Sequence, residues 1–313
     1  MTSERGFALI VVLLVMTIVG VVGAEFAYSM RLEAAAVRAY KDGILAGHLA
    51  EAAVAQAMRE IVNGWAFVGF DEDGRLQFYT SDRLPLPQLP REKVEFGGGQ
   101  YSYRITDEEA RINFNAAPDR VDRLLQFCLG LDKGARDVIG GSLQDWRDAN
   151  EEHRLNGAES EDFYLKLPVP YRSRNANLES VAELLQIHGV RETPAIYFGT
   201  EGRPGLADVV TVKTSGQVNI NINTASTCAM QALGLSDADI SDIVQSRRLA
   251  PYNAVPGKYG ARGFVHTTRT FRIEAEGIVG GRVAARLLAI VQKRDVAPPV
   301  VAILEWSTPR ESR

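Results

Sequence analysis

The chain has 313 residues, 46% of them hydrophobic and 24% charged, a balance that suits one large buried core or two modest ones and excludes a disordered chain. Its 35 basic and 39 acidic side chains leave a formal net charge of −4, which excludes a general electrostatic attraction to nucleic acid or acidic lipid.

Six residues, MTSERG, come first, and from Phe7 to Ala24 there follows a stretch of 18 residues with no charge, FALIVVLLVMTIVGVVGA. In a helix these positions cover ~27 Å, about the thickness of a hydrocarbon core. A cleaved secretory signal has a shorter apolar region that ends at a small-x-small site, whereas Gly23-Ala24 leads directly into Glu25 and more helix-forming sequence. Residues 7–28 therefore read as a single transmembrane segment.

Beyond it, MRLEAAAVRAYKDGILAGHLAEAAVAQAMREIVN is rich in Ala, Leu, Glu and Arg. An apolar stripe runs through Val37, Ile44, Gly47, Ala50, Val54, Ala57 and Ile61 at helical spacing. One helix is expected from Phe7 to about Val62, embedded in its first half and serving as the spine of a globular domain in its second.

Leu76 to Thr80 reads as a short strand, and KVEFGGGQYSYRITDEEARINFN as a hairpin around Gly97 to Gly99. Tyr101, Tyr103 and Ile105 alternate with Ser102, Arg104 and Thr106, giving one buried face. The same period recurs in Phe271, Ile273 and Ala275 against Arg272, Glu274 and Glu276. A Gly280-Gly281 turn, a run from Val283 to Val291, and a last strand Val300 to Trp306 after Pro298-Pro299 follow. These strands are expected to form one sheet on the spine helix.

Between them lies a helical region whose two ends repeat each other. INFNAAP…LGLDKGARDVI begins at Ile112 and ININTAS…LGLSDADISDIV at Ile220, with an identical offset from Gly130–Ile139 to Gly234–Ile243. Each unit reads as an Asn-rich turn, a helix, an LGL turn and a second helix, a helix-hairpin-helix-like arrangement. Leu124, Leu125, Val138 and Ile139 in one unit, and Met230, Leu233, Ile243 and Val244 in the other, are the expected buried positions. Such units bind DNA phosphates elsewhere, but these turns carry acidic residues and little basic support beyond Lys133 and Arg247-Arg248, so a structural or protein-contact role is the better reading.

Asp145 to Asp162, DWRDANEEHRLNGAESED, is oxygen-rich. By composition it reads as a solvated acidic loop; hard calcium takes six to eight oxygens and such a loop can wrap one, although the spacing is not that of an EF-hand. Cys128 and Cys228, far apart and in no metal or redox spacing, read first as buried small hydrophobes, with a single disulfide as the alternative in an oxidising compartment. His48, His153, His188 and His266 are scattered without a zinc-type partner. No GxSxG, P-loop or dinucleotide fingerprint occurs, RGF at Arg262 to Phe264 reads as a turn, and an enzyme is not expected.

The short leader ending in Gly6, then Phe7 and a long apolar helix, resembles the class III signal of type IV pilins and type II secretion pseudopilins. AEFAYSMRLE (24–33), AGHLAEAAV (46–54), RINFNAAP (111–118), DWRD, NGAESEDFY and NININTAS (219–226) resemble segments of K-type minor pseudopilins in the expected order. The resemblance implies an α+β fold, with a pilin-like long N-terminal helix packed on an antiparallel sheet and a large α-helical insert. In those terms residues 1–6 are a leader peptide, 7–28 the transmembrane segment, 29–112 the pilin-like helix and first strands, 113–250 the insert, and 251–313 the C-terminal strands completing the sheet. It further implies cleavage by a prepilin peptidase after Gly6 and methylation of Phe7.

At the fifth mature position most pilins carry a Glu that neutralises a neighbouring subunit's N-terminal amine; here it is Val11, which read alone is an ordinary apolar membrane position. An unpartnered amine in hydrocarbon is costly, so a subunit lacking the carboxylate suits the end of a filament, and absence of the Glu is a feature of K-type pseudopilins. The resemblance thus implies an inner-membrane, single-pass protein with its globular domain in the periplasm. It would act at the tip of a type II secretion pseudopilus, initiating or capping assembly and aiding export across the outer membrane. The implied partners are the I- and J-type minor pseudopilins and the pseudopilus, with secretin machinery or an exported protein as further contacts and no nucleic acid. Calcium binding in several pseudopilins makes Asp145, Asp148, Asn150, Glu152, Asn156, Glu159 and Asp162 the candidate ligands. The alternatives are a minor pilin of a type IV pilus or DNA-uptake filament whose insert touches DNA, and a membrane-tethered enzyme or receptor.

Overall fold

The computed structural model describes residues 3–64, 67–214, 218–294 and 296–308; the first two leader residues lie outside the described residues. In chain order the elements are α1 (Ser3–Asn63), β1 (Phe67–Phe70), β2 (Leu76–Tyr79), β3 (Val94–Phe96) and β4 (Gly99–Asp107). Next come β5 (Ile112–Asn113), α2 (Val121–Phe127), α3 (Lys133–Arg147), α4 (Ala195–Phe198), α5 (Leu206–Val209), β6 (Val210–Thr211), β7 (Ile220–Asn221), α6 (Thr227–Ala232), α7 (Asp237–Leu249) and β8 (Phe264–Val265). The chain ends with β9 (Thr270–Val279), β10 (Arg282–Arg294) and β11 (Val300–Ser307).

Helix α1 is continuous for 61 residues, ~92 Å at ordinary rise. Only its last third packs on the body. Burial begins at Ala46 and continues through Leu49, Ala50, Ala53, Val54, Ala57 and Ile61, while Val37 and Ile44 from the expected stripe are exposed and Gly47 is half-buried. The small residues on this face let the helix lie close to the sheet. The closest approach is at Gly277 of β9, where any Cβ would run into the Ala46 carbonyl, so only glycine fits there. Lys293 Nζ donates to the Val62 carbonyl at 2.9 Å, satisfying one of the helix's C-terminal acceptors.

The sheet has the order β11-β10-β9-β4-β3 and is antiparallel throughout. Gly97 and Gly98, both with positive φ, make the two-residue turn between β3 and β4, and Gly280 and Gly281 make the equivalent turn between β9 and β10. Ile105 faces Ile273, and Ile273 faces Ala289, so the inward residues of three strands form one apolar surface against α1.

The expectation of a single sheet is corrected at β2, which pairs with β1 in a separate two-stranded sheet. Residues 85–90 contain three prolines, which cannot donate to a ladder. The Leu86 N–H donates to the Phe78 carbonyl at 2.9 Å and Gln77 Nε2 to the Leu86 carbonyl at 2.6 Å, so backbone and side chain together fasten this segment to β2. A buried cluster, Glu60 of α1 with Arg91 and Tyr103, ties the same region to helix and sheet; the Glu60 carboxylate accepts from Arg91 Nε at 3.1 Å and from the Tyr103 hydroxyl at 3.0 Å. Arg272 is likewise corrected from an outward position to a buried one. Glu108, in the turn after β4, folds over the sheet's far face and accepts from it at 2.8 and 3.0 Å.

A second apolar core, separate from that of α1 and the sheet, gathers residues from Ile112 to Phe264, past the expected insert end at 250. The reason is pairing: Ile220 and Asn221 run parallel to Phe264 and Val265, and Ile112 and Asn113 parallel to Val210 and Thr211. The repeat units share this single core rather than burying their faces separately. Leu124, Leu125, Ile139, Met230 and Ile243 are buried in it, while Val138, Leu233 and Val244 are half-buried. Helix α2 packs on α6, and Cys128 and Cys228 are bonded, with Cα atoms 5.0 Å apart. This corrects their reading as unlinked hydrophobes: the two cysteines meet only because the two repeats stack.

Asp107, fully buried at the end of β4, joins the two cores. Its carboxylate accepts from the Glu109 N–H at 2.8 Å, Asn221 Nδ2 at 2.8 Å, the Thr224 hydroxyl at 2.5 Å and the Thr268 hydroxyl at 2.6 Å. Burial pushes its pKa up to about 6 despite these donors, with the Glu109 carboxylate adding to the shift.

Two outcomes are expected. Because Asp107 titrates at about 6 in the fold and near ~3.9 when unfolded, its contribution is complete below pH ~4 and is lost as pH rises through 6. Relative to D107N, wild-type unfolding free energy should fall by roughly 2 kcal/mol between pH 4 and 7, measured by urea titration; parallel pH profiles would refute this. Because the Cys128–Cys228 bond closes a loop of 100 residues, C128S/C228S should lose about 3–5 kcal/mol in non-reducing urea unfolding, with no further loss on adding reductant.

Candidate functional site

Three features outside ordinary core packing carry chemistry or contact: the free part of α1, the paired repeats, and the acidic loop after α3. Helix α1 from Phe7 is long and apolar enough to cross a membrane, and none of its most apolar window is buried against the rest of the chain. Phe7 and Val11 are exposed, and Gly6 lies in the helical backbone one residue ahead of Phe7. Thr17, the polar residue of the run, turns its hydroxyl back onto the Leu13 and Leu14 carbonyls at 2.8 Å, so it presents no unsatisfied donor to an apolar medium. Apolar exposure continues past this run through Met30, Leu32, Val37, Tyr40 and Ile44.

The repeats match in their hydrogen bonds as well as in their letters. Asn113 Oδ1 accepts from the Asn115 N–H at 2.8 Å, and Asn221 Oδ1 from the Asn223 N–H at 3.1 Å, so each unit opens on the same side-chain-closed turn. Asp132 caps α3 through the Ala135 N–H at 3.0 Å, and Ser236 caps α7 through the Asp239 N–H at 3.2 Å. In the last turn of each second helix an arginine folds back on the opening turn. Arg147 donates to the Phe114 and Asn115 carbonyls at 2.7 and 2.8 Å, and Arg247 to those of Ile222 and Ala225 at 3.1 and 2.8 Å. Burial lowers both pKa values. Of the cations weighed for DNA contact, Lys133 is held by Asp137 at 2.5 Å and Arg247 is turned inward, leaving Arg248 exposed.

The seven oxygen-bearing residues of the acidic loop do not surround one point. Asp145, fully buried, accepts from Arg154 Nη1 at 2.7 Å and the Arg154 N–H at 3.0 Å, and Asp148 also pairs with Arg154. Asn150 caps the Glu152 N–H at 2.8 Å, Asp162 caps the Glu159 N–H at 3.0 Å, and Asn156 occupies a positive-φ turn. Among the described residues no three Asp, Glu, His or Cys side chains form a metal-holding group. Arg154 is absent from the expected ligand set, yet its guanidinium takes up two members of that set, Asp145 and Asp148.

Among the buried side-chain oxygens that lack a partner, two lie beside Glu151 of this loop: Glu159 Oε1 and Asn175 Oδ1. Glu159 Oε2 accepts from Ser173 at 2.7 Å, and Asn175 Nδ2 donates to Glu151 at 3.1 Å. Burial raises the Glu159 pKa, and the nearby Asp145 and Glu151 carboxylates raise it further. An orphaned carboxylate oxygen in a negative field is the kind of donor a hard cation relieves. Asn175 was not foreseen, since it comes from a different loop.

Comparison with known proteins agrees with this architecture. Residues 105–197 match the family model for type II secretion system protein K. The chain is 32% identical over 108 residues to type II secretion system protein K of Pectobacterium carotovorum subsp. carotovorum, covering 30% of this chain and 33% of that protein. It is 24% identical over 271 residues to a putative type II secretion system protein K of Escherichia coli K12, covering 78% of this chain and 75% of that one. The chain thus aligns with about a third of the length of the Pectobacterium relative and three quarters of that of the Escherichia one. A chain in the crystal structure of the GspK-GspI-GspJ complex from the enterotoxigenic Escherichia coli type 2 secretion system superposes with a TM-score of 0.58 at 15% identity, over 89% of this chain and all of that one. With the α+β pilin-like fold and the long apolar helix in place, the chain is similar to type II secretion system protein K, through the family model over residues 105–197 and, at lower identity, over most of its length.

Proposed function

We propose that this chain is the minor pseudopilin at the tip of a type II secretion pseudopilus, anchored in the inner membrane by α1 with its two-core body in the periplasm, and that it initiates or caps assembly there. The observation that carries the reading is the unburied apolar length of α1 with Val11 at the fifth position after Gly6. A helix of this kind packs against other apolar helices. Without a carboxylate at that position it has nothing to neutralise another subunit's amine, which favours the end of the filament. The relative solved with GspI and GspJ makes I- and J-type minor pseudopilins the first partners to test. The insert, a second core on the body, adds the bulk that would keep another subunit from stacking above it.

Co-expression of this chain with the I- and J-type minor pseudopilins in detergent should yield a stable ternary complex on size exclusion, and the mature chain should have a mass beginning at methylated Phe7. A V11E variant should enter longer pseudopili that wild type does not. Loss of complex formation, or a chain still starting at Met1, would overturn the proposal.

We further propose that calcium binds beside Glu159, with Glu159 Oε1 and Asn175 Oδ1 as its first protein donors and Asp145 and Glu151 supplying the field. When bound it would neutralise charge that burial otherwise leaves uncompensated and hold the loop to the segment around Asn175. Calcium at millimolar concentration should raise the melting temperature of the full chain by a few degrees over chelator, and E159Q should abolish the rise. An equal rise in E159Q would refute the assignment.

A further inference from the structure

Between the start of α2, the α6–α7 turn and the loop before β8 lies a polar cleft of about 570 Å³, lined by Arg120, Arg123 and Arg262 with one acid, Asp119. Helix α1 takes no part in it. Arg120 donates to the Val218 carbonyl at 2.7 Å and Arg262 to the Gly234 carbonyl at 3.4 Å. These bonds use a minority of the donors that two guanidiniums carry, and among the described residues none of the three arginines has a carboxylate ion pair.

The backbone is shaped to admit these side chains. Gly234 and Gly263 have φ of 81° and 84°, and a Cβ at either would collide with the guanidinium of Arg123 or Arg120 respectively. The glycines therefore serve two ends, ending a helix or loop in the left-handed region and letting a guanidinium lie flat on the main chain. The result is a cluster of planar, permanently charged forks facing one cleft, a geometry matched to oxyanions, which accept two parallel N–H bonds from such a fork.

We propose that this arginine cleft binds a carboxylate-bearing, acidic segment of a partner protein. Duplex DNA is disfavoured by the small number of cations, by Asp119 at the rim and by the chain's net charge of −4, because a nucleic-acid surface engages many phosphates along its length. The inference stands apart from the tip assignment, since it uses no part of α1.

The test is calorimetric titration of the full chain in neutral detergent with a short glutamate-rich peptide, with inorganic phosphate and with a short DNA duplex. The peptide should bind saturably and be displaced by salt. R123A/R262A should weaken it about tenfold or more, R123K/R262K should lie between because the charge stays while the fork is lost, and R248A should bind as wild type. Circular dichroism and an intact Cys128–Cys228 bond establish that the variants are folded. Equal peptide binding in R123A/R262A, no peptide binding by wild type, saturable phosphate binding without the peptide, or tighter binding of DNA with a steep salt slope would each overturn the proposal.

Discussion

The close approach of α1 to β9 sets the rest of the architecture. A helix whose first part is apolar on every face has no preferred side, and its attachment to a body must come from a stretch where one face is made of small residues. That stretch begins at Ala46, where Gly277 lets the sheet reach the helix backbone. From there Ala50, Ala53, Val54 and Ala57 keep the contact close while Leu49 and Ile61 fill its ends. From Phe7 to Ile44 the apolar side chains are uncovered by the body, which suits an apolar medium or neighbouring apolar helices.

Charge is used in the body to fix angles rather than to add net stability. Glu60 sits on the helix face that meets the sheet, and its pairing with Arg91 and Tyr103 leaves α1 few rotational alternatives, since any other register would bury an unpaired carboxylate. Glu108 with Arg272, and Asp107 with Asn221, Thr224 and Thr268, do the same where the second core meets the sheet's far face. The second core is thereby oriented on the pilin-like body by hydrogen bonds at its stem, while its own interior is held by apolar packing and one disulfide.

The repeats show how a duplicated sequence becomes a single unit. Each copy has an Asn-closed turn, a capped second helix and an arginine that folds back on its own opening, so the copies are locally self-sufficient in hydrogen bonds. Neither copy can bury its apolar face alone, and stacking α2 on α6 resolves that need. The arginine cleft is a by-product of the same stacking, because Arg123 of the first repeat lies over Gly234 of the second.

By itself the sequence determined what depends on local pattern. The charge-free run from Phe7 fixed a membrane-length helix, the alternation at Tyr101–Ile105 and Phe271–Ala275 fixed two central strands, the glycine pairs fixed their turns, and the matching LGL turns announced a repeat. Tertiary structure alone decided what depends on residues distant in the chain. It decided where burial of α1 begins, because Gly277 is more than two hundred positions from Ala46; that Cys128 and Cys228 meet, because the repeats stack; and that Arg272 is buried, because Glu108 covers it. It also decided that Arg154 takes up Asp145 and Asp148 while Asn175 joins Glu151 from another loop. Periodicity reports which face of one element is apolar, but a loop's side chains find partners only once the whole chain has closed around them.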